Sequence, residues 1–114
     1  MIINGVELEF NLYDVDKAGM RNRYFEELKK MQAIKQDMVK EPEQERERYL
    51  CKRIKSMFDN VFGSGTGEKV CGTRDDLLES MDAYEQLLNE QIRQDERYKR
   101  ILQGIKRRNP RKRR

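Results

Sequence analysis

The sequence contains no histidine and only two cysteines, Cys51 and Cys71. Without histidine, a metal site would need four oxygen or sulfur ligands that converge from distant parts of the chain. Nucleophilic catalysis lacks support for a similar reason, because no serine or cysteine stands beside an evident base. We therefore expect two free thiols, no bound metal and no other cofactor.

Long hydrophobic runs are also missing. No segment approaches the roughly 20 apolar residues that a membrane span requires. The first residues have no positively charged region followed by a continuous apolar stretch, so we expect no signal peptide. These absences predict a soluble, cytoplasmic protein with no membrane partner.

Carboxylates are abundant, but they do not form a recognisable catalytic pattern. Glu7 and Glu9 share one side of a predicted strand, and Asp75, Asp76 and Glu79 lie at the start of a predicted helix. General acid–base catalysis needs a recessed site that shifts pKa values. The chain is 40% charged and only 36% hydrophobic, which leaves little interior for such a site. We expect solvated helix faces, and a protein that is not an enzyme.

The first fourteen residues predict a small β-hairpin. From Val6 to Leu12, apolar residues alternate with Glu7, Glu9 and Asn11, which is the pattern of a half-buried strand. The preceding Asn4-Gly5 dipeptide readily adopts the positive φ angles of a two-residue hairpin turn.

The rest of the chain predicts about three amphipathic helices. The first starts at Asp14 or Asp16 and runs to about Met38, the second follows Pro42 and ends near Phe62, and the third starts after a Thr73–Asp76 capping box. The third helix has apolar residues to Ile92, and the stripe resumes from Tyr98 to Ile105, which one long helix would accommodate. The predicted fold class is therefore mainly α with a small β element, in one domain of residues 1–105. A core this thin leaves little margin of stability, so we also expect a homo-oligomer or a partner.

The glycine-rich segment of residues 63–72 suggests a phosphate-binding loop at first. A P-loop places its second glycine before lysine and lies between a strand and a helix, whereas here Gly67 precedes Glu68 and a helix comes first. We expect a loop between two helices, and a short strand at residues 69–71 that pairs with the hairpin is the alternative.

The end of the chain predicts a disordered basic tail over residues 106–114. Without its seven basic side chains, 18 basic residues remain against 21 acidic ones, so the domain itself is mildly acidic. Such a tail binds polyanions at low salt, but no aromatic residue lies among its charges to stack on bases. The candidate polyanion-binding residues are Lys106, Arg107, Arg108, Arg111, Lys112, Arg113 and Arg114.

Two short segments together resemble a known family. Residues 3–10 (Ile-Asn-Gly-Val-Glu-Leu-Glu-Phe) with Asp14, and residues 58–67 (Phe-Asp-Asn-Val-Phe-Gly-Ser-Gly-Thr-Gly) with the helix that follows, are similar to the small tail assembly chaperones of long-tailed, siphovirus-like phages and prophages of Gram-positive bacteria. The resemblance covers roughly residues 2–102. The basic tail is not part of it.

The resemblance implies a specific role in a bacterial host. Such chaperones coat the tape measure protein, a very long helical protein that sets tail length, until tail-tube subunits polymerise around it. Many are also made as a longer form by ribosomal frameshifting. For this chain it implies that exposed parts of two helical stripes bind the client. The candidate client-binding residues are Tyr24, Leu28, Met31, Leu77, Met81, Tyr84 and Leu88.

Two other functions compete with this one. A small nucleic-acid-associated protein would dimerise through its acidic body and bind phosphates through its tail, and that binding would collapse with salt. A structural head–tail connector subunit would form closed rings without a client.

Overall fold

The computed structural model describes residues 1–108. The fold is mainly helical, with a two-stranded antiparallel hairpin at its start, which confirms the predicted fold class. The elements in order are β1 (Ile2–Ile3), β2 (Val6–Glu7), a 3-10 turn (Val15–Lys17), α1 (Ala18–Gln32), α2 (Ile34–Met38), a second 3-10 turn (Glu43–Glu45), α3 (Arg46–Phe62), α4 (Thr66–Cys71) and α5 (Leu77–Arg108).

The hairpin turn is the predicted Asn4-Gly5 pair, with φ angles of 47° and 82°. The second strand is shorter than the alternation suggested, because pairing stops at Glu7. Further along, the carbonyl of Phe10 and the amide of Leu12 bond to the side chain of Gln94 instead of a neighbouring strand. Of the apolar residues of the alternation, Phe10 and Leu12 are nevertheless buried and Val6 and Leu8 are half-buried. The pattern therefore predicted the inward side correctly and the strand length wrongly.

The first predicted helix is interrupted. Asp14 caps a 3-10 turn by accepting a hydrogen bond from the amide of Asp16 at 3.0 Å, and α1 begins only at Ala18. At Ala33, with φ −98° and ψ 8°, the helix tightens and stops, and the short α2 carries the chain on to Met38. The prediction of one continuous helix to Met38 was wrong, although its end point was right.

The glycine-rich segment contains a helix, so both the loop and the short-strand predictions were wrong. Gly63 ends α3 with φ 118°, Gly65 turns the chain with φ 90°, and α4 follows. The amide of Gly67 donates to the Asp59 carboxylate at 2.7 Å, which holds α4 against α3. The segment folds as a helix because it packs on α3, not because of its own composition.

The third predicted helix is α5, a single helix of 32 residues. Its first turn is capped by Asp76, which accepts a hydrogen bond from the amide of Glu79 at 3.1 Å. The predicted capping residue was Thr73, so that prediction was wrong. The helix continues through Lys106, Arg107 and Arg108, three residues that the sequence assigned to the tail. The remaining predicted tail residues Arg111, Lys112, Arg113 and Arg114 lie outside the described residues.

The core forms around α3, which packs against α1, α4 and α5. The apolar side chains of the hairpin segment close it on one side. The largest fully buried side chains of the core are Tyr24, Phe58, Ile3, Leu12, Ile54, Met57 and Leu87. One charged residue enters this interior: Glu27 is buried and pairs with Arg53 and Lys30, both at 3.2 Å. Burial opposes ionisation of Glu27, but hydrogen bonds from Asn60 and Lys30 and the charge of Arg53 outweigh it and hold its pKa below the ordinary value.

Candidate functional site

The N-terminal segment is bound along one side of α5 by glutamine side chains. The amide groups of Asn4 and Gln86 bond reciprocally, with the Asn4 backbone N–H donating at 3.0 Å and Gln86 Nε2 donating at 2.7 Å. Two turns later, Gln94 accepts from the Leu12 amide and donates to the Phe10 carbonyl. These bonds give α5 a fixed inner side, which faces the body, and an outer side, which faces solvent.

Two tyrosines hold the next part of the same side. The Tyr24 hydroxyl donates to Gln91, and burial raises the pKa of this phenol. The Tyr13 hydroxyl donates to Asp95 at 2.6 Å, and that bond raises the pKa of Tyr13. The Tyr13 ring also stacks on Tyr98, with ring centroids 4.9 Å apart. Tyr98 therefore marks the place where the body ends and α5 continues.

The remaining part of α5, residues 98–108, projects from the body, and we call it the α5 extension. A helix of 32 residues is about 48 Å long. The molecule measures 62 × 29 × 23 Å, so α5 is longer than either of its two shorter dimensions. No residue of the extension is buried within the described part of the chain. The helix thus extends past the elements that would cover its inner side.

The inner side stays apolar along the extension. Tyr98 and Ile101 are each 49% exposed, and Leu102 is half-buried. They continue, at helical spacing, the side of α5 that buries Ala83 and Leu87 in the core. An open cavity of about 320 Å³ lies where this stripe leaves the body. It is lined by Asn11, Tyr13, Asp14, Arg93, Gln94, Arg97, Tyr98 and Ile101.

The predicted client-binding residues of α1 belong mostly to the core. Tyr24 is 0% exposed and Met31 is 5% exposed, so neither can contact a client while the core is closed. Leu28 is half-buried and packs against the same core. The prediction that Tyr24 and Met31 bind a client was therefore wrong. Helical spacing identifies the apolar side of a helix, but it does not show whether a neighbouring element covers that side.

The predicted client-binding residues of α5 are more accessible. Met81 is 47% exposed, while Leu77, Tyr84 and Leu88 are half-buried and Tyr84 packs against the core. The structure adds two exposed neighbours on the outer side that the sequence did not single out, Leu78 at 75% and Ile92 at 51%.

The apolar part of the α5 extension was not predicted as a site, although its residues were noted as a resumed stripe and Lys106, Arg107 and Arg108 were predicted to bind polyanions. The signal was present in the charges. Seven basic residues stand against two acidic ones between Arg93 and Arg108, whereas the half of α5 that packs on the core has no basic residue. Lys106, Arg107 and Arg108 are brought together on the last turn of α5, where cations also suit the helix dipole.

Asp75 and Cys71, a carboxylate and a thiol outside these surfaces, have structural surroundings. Asp75 binds Arg48 at 2.9 Å and Lys55 at 3.3 Å, which ties the start of α5 to α3. Burial opposes ionisation of Asp75, but the hydrogen bonds from Lys55 and Arg48 outweigh it and lower its pKa. Burial raises the pKa of the Cys71 thiol to about 11, so this sulfur stays protonated at neutral pH.

Within residues 1–108, no three cysteine or carboxylate side chains are placed to hold a metal ion. None of the helices in this part of the chain is both long and apolar enough to cross a bilayer.

Comparison with known proteins gives one result. The sequence model of the family described as "Family of unknown function (DUF6673)" matches residues 4–114. No curated protein and no solved structure matches the chain. The family match includes the hairpin turn, every helix and the basic residues at the end, so the chain belongs to the DUF6673 family.

Proposed function

We propose that the protein is a non-enzymatic assembly chaperone that binds a helical segment of a long client, the tape measure protein of a phage tail. The observation that supports this most is the apolar stripe on the inner side of the α5 extension. Tyr98, Ile101 and Leu102 offer a helix-sized apolar contact of which Tyr98 and Ile101 are each 49% exposed, although the Tyr98 ring stacks on Tyr13. An amphipathic helix of a client fits such a stripe, because apolar side chains at i, i+3 and i+4 interlock with a neighbouring helix.

The energy of such a contact comes mainly from apolar burial. Covering half-exposed side chains stabilises a complex by about 25 cal/mol per Å² of apolar area, offset by the cost of ordering both partners. A contact of this kind persists in salt. A contact made by the basic residues of the extension alone would weaken steeply as salt rises.

The test is co-expression with the protein encoded by the next large downstream reading frame, followed by size-exclusion chromatography with light scattering in about 0.5 M salt, where surface charges are largely screened. We expect a stoichiometric complex that survives this salt. Ile101→Asp should remove it. Gln103→Asp places the same charge on the extension but off the apolar stripe, and should leave the complex intact.

Other results would contradict the proposal. Absence of a complex in salt, or equal tolerance of both substitutions, would show that the stripe is not a client site. A specific observation supports the nucleic-acid alternative, since Lys106, Arg107 and Arg108 share the last turn of α5. In that case nucleic acid would co-purify at low salt, and replacing these three residues by glutamine would weaken its binding while Ile101→Asp would not.

A further inference from the structure

We propose that two copies of this chain pair through the outer side of α5, with the two helices antiparallel. The outer side is the one that faces solvent along the body, opposite the core contacts of Ala83 and Leu87. It is distinct from the client stripe. Ile92 lies on the outer side and Ile101 on the inner side, because nine residues correspond to about 2.5 helical turns.

The outer side carries apolar side chains at the spacing of paired helices. Met81 and Leu88 are seven residues apart, and Ile92 follows four residues later. Intervals of seven and four residues are each close to a whole number of helical turns, so these three side chains lie on the same side of α5. Met81 and Ile92 are 47% and 51% exposed, and Leu88 is half-buried without belonging to the core cluster.

The charge of α5 is polarised along its length. From Leu77 to Ile92 the helix has four acidic residues and no basic one. From Arg93 to Arg108 it has seven basic residues and two acidic ones, a net charge of +5. A parallel pair would set like charges side by side. An antiparallel pair places the acidic half of each helix against the basic half of the other, which fixes the second copy as the occupant and sets its direction.

These charges are not already neutralised within the body. Among residues 1–108, neither Asp82 and Glu85 in the acidic half nor Lys99 and Arg100 in the basic half form an ion pair. When Leu88 of one copy lies beside Ile92 of the other, the antiparallel register places Met81 of the first copy opposite Lys99 of the second. Asp82 of the first copy then lies within one helical turn of that lysine. The aliphatic part of the lysine then covers Met81 while its ammonium group meets the carboxylate.

The test uses the full chain and measures its dimer dissociation constant by sedimentation equilibrium. Lys99→Glu and Asp82→Lys should each raise that constant by about tenfold, since an attraction becomes a repulsion. The double variant Asp82→Lys/Lys99→Glu restores opposite charges and should return the constant to near the original value. Lys29→Glu and Glu47→Lys make the same charge changes at exposed sites on α1 and α3 and should have no effect.

The direction of pairing is tested by added thiols, because Cys51 and Cys71 are buried. A mixture of Met81→Cys and Lys99→Cys chains should form a disulfide between copies, whereas Met81→Cys alone should not. A chain that stays monomeric, a constant that the double variant fails to restore, or cross-linking of Met81→Cys with itself would each overturn the proposal. So would loss of client binding on Ile92→Asp with an unchanged oligomeric state, because the outer side would then belong to the client.

Discussion

Gly67 of α4 lies directly against the backbone of Lys55 in α3. A Cβ atom built on Gly67 would be 2.3 Å from the Lys55 carbonyl oxygen and 2.7 Å from its Cα. The two helices can approach this closely only because residue 67 has no side chain. The hydrogen bond that the Gly67 amide donates to the Asp59 carboxylate stabilises the contact. The glycine-rich segment therefore serves helix packing rather than phosphate binding.

Replacing Gly67 by alanine should destabilise the protein by about 1–3 kcal/mol, because the added methyl group meets backbone that cannot move aside cheaply. The free energy of unfolding from urea titration measures this. Gly104→Ala is the matched control. That site on the α5 extension has nothing within 4 Å of the added Cβ, so alanine should leave stability unchanged or raise it slightly. Equal effects at the two sites would contradict the close packing of α3 and α4.

Replacing Asn4 by alanine should destabilise the fold by about 1–3 kcal/mol. The substitution removes the bond from Asn4 Nδ2 to the Val70 carbonyl and the bond from Gln86 Nε2 to Asn4 Oδ1, and alanine adopts the φ angle of 47° less readily than asparagine does. Asn4→Gly loses the same side-chain bonds but accepts the positive φ angle, so its loss should be smaller. Thermal melting of both variants gives the comparison, and a larger loss for glycine would show that the turn conformation is not what matters.

Replacing Glu27 by glutamine should cost about 1.5–3 kcal/mol at neutral pH, because the buried partners of the carboxylate lose a charged acceptor. The folded pKa of Glu27 lies below its ordinary value of 4.5. Its contribution is therefore fully present above that ordinary value and is lost as pH falls through the folded pKa. Urea titrations from pH 7 to about pH 3 should show the two proteins converging as pH falls. Glu26→Gln, at an exposed neighbouring position, should show no such convergence with pH.

Both thiols should resist labelling in the folded protein. Burial raises the pKa of Cys71 to about 11, and Cys51 is only 1% exposed. Cys71 is then almost wholly protonated at pH 8, and both sulfur atoms are out of reach of a reagent. A colourimetric thiol reagent should react slowly without denaturant and with both cysteines in urea. Rapid reaction of one thiol in the folded state would contradict the burial of α4 against α3.

The outlines of the helices could be predicted from local chemistry. Pro42 precedes the 3-10 turn that leads into α3, Gly63 ends α3, and Asn4-Gly5 forms the turn that its φ preferences favour. The α4 helix could not be predicted in this way, since Gly67 is a poor helix former and the helix is stabilised by its packing against α3 and α5. The break at Ala33 has no signal in composition either.

The candidate sites likewise have features that the sequence predicts and features that depend on tertiary packing. The sequence by itself determined that α5 has an apolar stripe, an acidic first half and a basic second half, because these are properties of residue order and helical period. Only the tertiary structure decided which apolar residues are available. Tyr24 and Met31 are enclosed by α3, α5 and the N-terminal segment, while Ile101 projects past the body. The physical reason is that burial depends on what lies across from a side chain, and residues distant in sequence supply those neighbours.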